Sequence, residues 1–432
     1  MQGGDFMRFL PFLFLFLLFP LLPVSAQRPM SAYEQALQQE ARRKQQAIKA
    51  QNLRNRYRIH KSAPAVNKGK APVRYSPPPQ KALPTGRRVT TPPARKQPLK
   101  SAAPRAVYPS PVRPRPAAAV RPAARPQPQT AKKIATARIG QHVYFYLRDI
   151  AAYYNMRLYF HKDGVEMRSP AGSRVRFYKK RRNGYINGTL VHFLFPLYLR
   201  GKTGYFIHSE DVRVLLHPLL RAGKTPRPKA AKEKLIVLDP GHGGNDTGAL
   251  VPSMREKDMN LLMAWKVRKV LQSFGYRVRL TRTGDTTLSL KERAALCRKW
   301  KPDLFISLHC NATGDKKVRG IETFATTPRN TASTGKKAPA HTKADPGNKF
   351  DAENFRLAYL VQRSLLSYTA APDRGVRHAR FLVIRESIAP AILIEMGFLT
   401  NAAEVKNFRL AAYQNKLANG IAVGIHLYAK ER

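Results

Sequence analysis

Apolar and polar positions follow two periods in the C-terminal half of this chain. Leu235-Ile-Val-Leu, Leu304-Phe-Ile-Ser-Leu and Ala391-Ile-Leu-Ile are short, nearly continuous apolar runs, the pattern of strands buried on both faces of a parallel sheet. Tyr276 to Thr281 alternates and predicts a further strand. Between the first two runs, Met259, Leu262, Met263, Val267, Val270, Leu271 and Phe274 recur at helical spacing, and Gly275 supplies a stop. Ser289-Leu-Lys-Glu292 is a capping-box pattern opening a helix through Trp300. Strands alternating with helices in this way predict an α/β domain over residues 234–432, a mostly parallel sheet with helices on both faces.

Upstream the pattern is finer. Val143 to Tyr154 is apolar enough to predict a buried helix, and short strands follow at Arg157–His161, Val165–Arg168, Arg174–Tyr178 and Tyr185–Ile186. Asn187-Gly188 marks a turn, Tyr205–His208 a strand, and Ser209 the start of a helix ending near Pro218. These make a small α+β accessory domain over residues 138–222, joined by a linker at 223–233 that carries Pro226 and Pro228. Residues 31–58 fit a polar helix. From Lys61 to Ala135 the chain is Pro, Ala, Lys, Arg and Ser with almost no large aliphatics. Such a segment cannot offset its ordering entropy, so residues 27–137 are predicted to be a largely disordered tether. At the start, Arg8, the apolar stretch Phe9 to Leu22 and the small residues Val24-Ser25-Ala26 predict a signal peptide, residues 1–26, and an exported protein in the periplasm or cell wall. That stretch is shorter than the ~20 residues that span a bilayer and holds Pro11 and Pro20.

Charge adds a partner class. The chain carries 78 Lys and Arg against 26 Asp and Glu, a formal net charge of +52, so its surface seeks polyanions. Residues 27–137 hold 25 of those cations and two Glu, and no acidic residue occurs between Glu40 and Asp149. The tether therefore reads as an electrostatic leash, or as a self-repelling spacer. Its Pro and Ala content, without interleaved aromatics, argues against a nucleic-acid reader. Two cysteines exclude a disulfide-stapled scaffold and an all-thiolate zinc module.

The candidate chemistry sits at strand ends. The first apolar run enters Asp239-Pro-Gly-His-Gly-Gly and presents His242; the next ends in His309-Cys310-Asn311; the last ends in Glu395. Glu256 lies where the first loop becomes a helix. Taken singly, His242 could bond its own loop, and Glu256 could compensate a helix dipole. An open α/β sheet, however, gathers ligands outside the carboxyl ends of its strands. Two imidazoles and a carboxylate are the donor set of catalytic zinc, and a second carboxylate beside them is what a metal hydrolase needs as general base. Cys310 and Cys297 read as small buried hydrophobes. His142, His161, His192, His208 and His217 show no ligand spacing and read as structural or surface residues.

Leu238-Asp-Pro-Gly-His-Gly-Gly, Arg255-Glu-Lys-Asp-Met-Asn, Ser307-Leu-His-Cys-Asn-Ala, Arg319-Gly-Ile-Glu-Thr-Phe, Asp373-Arg-Gly-Val-Arg and Ile394-Glu-Met-Gly-Phe-Leu-Thr-Asn occur in one order. In that order they resemble the zinc-dependent N-acetylmuramoyl-L-alanine amidases of the type 3 family, over about Lys234 to Tyr428. The resemblance implies His242, Glu256 and His309 as Zn2+ ligands and Glu395 as the catalytic carboxylate. It implies as substrate the peptidoglycan amide between N-acetylmuramic acid and the L-alanine of the stem peptide, cut in cell-wall remodelling or daughter-cell separation. Arg255, Arg385 and Asn311 read as structural residues first, with substrate contact as the lesser alternative. Many relatives carry Ala where this chain has Cys310. Some carry an inserted helix that plugs the zinc site, whereas Thr326 to Lys349 here holds Pro328, Pro339 and Pro346 and reads as a loop. Residues 138–222 more faintly resemble the small N-terminal-type domain of copper amine oxidases, without implying copper, and suit cell-wall binding. With an envelope substrate, the tether's anionic partners become peptidoglycan carboxylates, teichoic acids or lipopolysaccharide phosphates. The competing readings are another secreted zinc amidohydrolase or peptidase acting on cell-wall peptides, and a noncatalytic basic envelope binder.

Overall fold

The structure, a computed structural model, describes residues 134–201, 204–221, 234–337 and 343–430. The signal segment 1–26, the tether up to residue 133 and the whole linker 223–233 lie outside the described residues.

The first part of the chain builds strands β1 (Thr136–Ile139) and β2 (His142–Tyr146), helix α1 (Leu147–Tyr153), and strands β3 (Arg157–His161), β4 (Gly164–Arg168), β5 (Arg174–Tyr178), β6 (Asn183–Ile186), β7 (Thr189–His192), β8 (Tyr198–Arg200) and β9 (Gly204–His208). A π-helical turn at Asp211–Leu216 runs into the short helix α2 (His217–Leu220). The single helix expected over 143–154 is thus half strand. Tyr144 and Tyr146 stand opposite His208 and Phe206 of β9, and this aromatic cross-strand pairing outweighs local helical propensity.

The second part supplies β10 (Leu235–Pro240), a short hairpin of β11 (Leu250–Val251) and β12 (Met254–Arg255), α3 (Glu256–Ser273), β13 (Arg277–Leu280), α4 (Leu290–Trp300), β14 (Leu304–Asn311) and β15 (Ile321–Thr326). A 3₁₀ turn at Pro346–Phe350 leads into α5 (Asp351–Thr369), followed by β16 (Asp373–Ala379), α6 (Leu382–Arg385), β17 (Ala391–Phe398), α7 (Ala402–Arg409) and α8 (Ala411–Lys430). The expected capping box is present, Ser289 and Glu292 bonding each other's backbone. No described helix is long and apolar enough to cross a membrane.

Strands β1-β2-β9-β8 form an antiparallel sheet of their own. An eleven-stranded sheet has the order β13-β10-β14-β17-β15-β16-β7-β6-β5-β4-β3. The expected parallel arrangement holds for β13-β10-β14-β17, is broken where β15 runs antiparallel to β17, and resumes from β15 to β16 and from β16 to β7, so the sheet is mixed. No helix occupies residues 312–320 to carry the chain across the sheet, so it returns in the opposite direction. Beyond β16 the sheet is an antiparallel meander from β7 to β3.

Strands β10, β14 and β17 are buried on both faces, whereas β13 alternates, with Arg277 and Arg279 exposed. Ile236, Leu238, Ile306, Leu308, Ile392 and Ile394 join one core with residues of α3, α5 and α8, while Val237, Phe305 and Leu393 join a smaller one with Cys297, Val383 and Ile384. The larger core also takes in Val165, Ile186, Val191 and Leu215 from the first part of the chain. The two parts are therefore one packed body, with β7 paired to β16 at Val191 and Val376. Tyr359 Oη donates to Ile186 O at 3.0 Å, and Arg182 Nη2 to Ala332 O at 2.8 Å.

Candidate active site

The site begins where β10 ends. Gly241 N donates to Leu308 O at 3.0 Å, holding the turn against β14. A Cβ on Gly241 would stand 2.1 Å from the His309 ring, so only glycine lets the loop pass this close. His242 takes the left-handed backbone region, φ 59°, a conformation that persists only when its surroundings impose it. Two buried arginines do so. Arg293 donates to Pro240 O (2.8 Å) and His242 O (2.7 Å), and Arg282 to Pro240 O and Gly241 O, both at 2.9 Å. Arg293 is in turn paired with buried Asp239 at 2.7 Å, which also accepts from Thr281 Oγ1 and Ser307 Oγ.

Glu256, buried at the start of α3, reaches back under this loop. Its Oε1 lies 3.1 Å from His242 Nε2 and 3.0 Å from His309 Nδ1, and accepts from Cys310 N at 3.1 Å. Ala249 N donates to Oε2 at 2.9 Å. Burial works against ionisation of Glu256, but the hydrogen bonds from the two histidines and Ala249 hold its carboxyl well below the usual range. His242 turns its other nitrogen to Asp246 Oδ2 at 2.8 Å. Burial disfavours a charge on His242, but the Glu256 and Asp246 carboxylates outweigh it and raise its pKa.

One donor atom each from His242, Glu256 and His309 lies within 4.8 Å of the others, and among the described residues no other group of three or more His, Cys, Asp or Glu side chains does this. The set fits zinc. Two imidazole nitrogens and a carboxylate oxygen converge, and Asp246 orients one ring by hydrogen-bonding the nitrogen that faces away from them, as carboxylates do for histidine ligands at metal sites.

Glu395 stands beside this group. It is in register with His309 on β14 and with Glu322 on β15, giving a row His309–Glu395–Glu322 across three strands. Its side chain is buried, and Oε2 has no hydrogen-bond partner. Burial, then the charges of Glu256 and Glu322, push its carboxyl well above the ordinary range. The structure thus brings His242, Glu256, His309 and Glu395 to one edge.

The remaining candidates divide. Asn311 Nδ2 donates to Glu322 Oε1 at 2.8 Å, on the flank of the row. Arg255 is exposed and paired with Asp258, and Arg385 sits 3.6 Å from Glu386. Both cysteines are free and buried, and burial raises the Cys310 thiol. Between Thr326 and Pro346 no helix occurs among the described residues. Sequence reasoning gave no role to Asp246, Arg282, Arg293 or Glu322.

Comparison with known proteins gives a family match over residues 236–426, described as N-acetylmuramoyl-L-alanine amidase. The N-acetylmuramoyl-L-alanine amidase AmiA of Escherichia coli is 31% identical over 229 residues, 47% of this chain and 79% of that protein. The N-acetylmuramoyl-L-alanine amidase LytC of Bacillus subtilis is 34% identical over 193 residues, 45% of this chain but only 35% of that protein. Among solved structures, an N-acetylmuramoyl-L-alanine amidase from Clostridium difficile is 36% identical, with TM-score 0.39, covering 46% of this chain and 98% of that one.

Proposed function

This chain belongs to the N-acetylmuramoyl-L-alanine amidase family, and from that premise we propose how its own residues cleave the bond between N-acetylmuramic acid and the L-alanine of the peptidoglycan stem. His242, Glu256 and His309 would hold a zinc ion. A zinc ion there would supply a Lewis acid that polarises the scissile carbonyl and lowers the pKa of water to about 7, and its charge would oppose the rise in the Glu395 carboxyl. Glu395 accepts the proton of the attacking water and delivers it to the alanine nitrogen, which departs as an amine only once protonated. Asp246 fixes the His242 ring, while Arg282 and Arg293 hold the loop that carries it.

The observation that carries this reading is the convergence of three donor atoms within 4.8 Å beside a buried carboxylate oxygen without a partner. Residues 1–26 direct export to the periplasm or cell wall. The basic tether retains the enzyme on anionic envelope polymers, and cell-wall remodelling or daughter-cell separation is the setting. Mass spectrometry of purified peptidoglycan after digestion provides the test. Free stem peptides starting at L-alanine, and glycan strands with bare lactyl carboxylates, are expected without chelator and absent with it. Cleavage within the stem peptide instead would identify a peptidase.

A further inference from the structure

The row His309–Glu395–Glu322 continues onto β16, where Glu322 pairs with Gly375. One step earlier Ile321 pairs with Asp373, so Arg374 is an extra residue inserted into the strand. Such a bulge re-aims a side chain, and here it brings Arg374 Nε to 3.1 Å from Glu322 Oε2. Arg377 Nη1 reaches the same oxygen at 2.6 Å. Glu322 is buried, whereas the side chains of Arg374 and Arg377 remain 31% and 22% exposed. Glu404, which accepts from Gly320 N and Phe398 N, also feels Arg374 together with Arg319, so three guanidinium groups face the two carboxylates Glu322 and Glu404 and leave a positive charge.

The bulge is braced from outside the family-matching region. Leu190 N on β7 donates to Asp373 Oδ2 at 2.7 Å. A Cβ on Gly375, whose φ is 87°, would meet Leu190 O and Cγ at 2.8 Å, so β7 lies directly against the bulge.

The edge of the sheet therefore has a direction: metal donors at one end, the proton-moving carboxylate in the middle, and a spare cation at the other. We propose that Arg374 and Arg377 form an anchor for a carboxylate of the stem peptide, on the departing-amine side of the scissile bond, and thereby select acidic stems. This rests on the amidase reading above. Glu322 fixes the two guanidiniums in place, and the partnered strand β7 keeps the bulge in shape. A carboxylate arriving there meets charge-assisted donors that are already ordered, so little freedom is lost on binding.

The test compares two synthetic muramoyl dipeptides, one with a free carboxylate on the residue after L-alanine and one with the carboxamide. For the full chain loaded with zinc, kcat/KM is expected to favour the acid by about tenfold, the worth of a hydrogen bond to a charged group. In Arg377→Gln that preference falls towards one, mainly through KM on the acid, and Arg377→Lys restores part of it. The acid-to-amide ratio does not depend on how much protein is folded, so a destabilised variant still reports. Equal rates on both substrates in the wild type, or an unchanged ratio in Arg377→Gln, would overturn the anchor alone. Failure to release L-alanyl peptides from either substrate would overturn the amidase reading with it.

Discussion

At the scale of single residues, the division of labour between ligand and proton carrier can be separated experimentally. Glu395→Gln is expected to retain zinc near one equivalent while losing hydrolysis by about 10²–10⁴-fold, the usual contribution of a general base. His242→Ala is expected to lose the metal itself. Metal analysis alongside muropeptide digestion checks both, and near wild-type cleavage by Glu395→Gln would refute the proton assignment. His242, His309 and Glu395 were legible in the sequence because each follows a buried apolar strand, a place where topology forces convergence. Arg282 and Arg293 were not. A buried arginine looks in sequence like any surface cation, and its partners here are carbonyl groups of a distant turn. Glu322 lay within a recognised motif, yet its pairing with two arginines depends on a bulge that no local pattern announces.

At the scale of elements, legibility followed amphipathicity. Helix α3 has one buried stripe and α4 a capping box, so both could be read directly. Helix α8 is buried continuously from Gly420 to Ala429, and α5 is buried on most of its faces. Helices enclosed in this way lose the periodic contrast that marks a surface helix. The direction of β15 was equally hidden, since strand polarity is set by how the chain returns. The π-helical turn after β9 carries a pH-sensitive joint. Asp211 accepts from Leu194 N at 2.6 Å and Phe195 N at 3.1 Å, yet burial outweighs these bonds and pushes its carboxyl up to about 7. A folded pKa above the unfolded value means that its contribution is fully present below about pH 4 and lost as pH rises through 7. Thermal denaturation between pH 5 and 8 should show the wild type losing stability with rising pH and Asp211→Asn showing a flatter profile. Parallel profiles would exclude this joint.

At the scale of the whole molecule, charge and topology act on different ends of the chain. If the basic tether holds the enzyme to its polymer by charge, retention on isolated sacculi should collapse above ~0.5 M salt, where screening is strong. Salt-resistant retention would shift the role to the strands between residues 136 and 208. Those strands are not a detachable module, because β7 completes the edge of the sheet that bears Arg374 and Arg377. The joint at Val191 and Val376 thus sets a practical boundary for anyone shortening this protein. A fragment starting at residue 234 would expose the main-chain donors and acceptors of β16 as a raw margin, open to a second molecule. Gel filtration of that fragment should reveal self-association that the longer chain does not show.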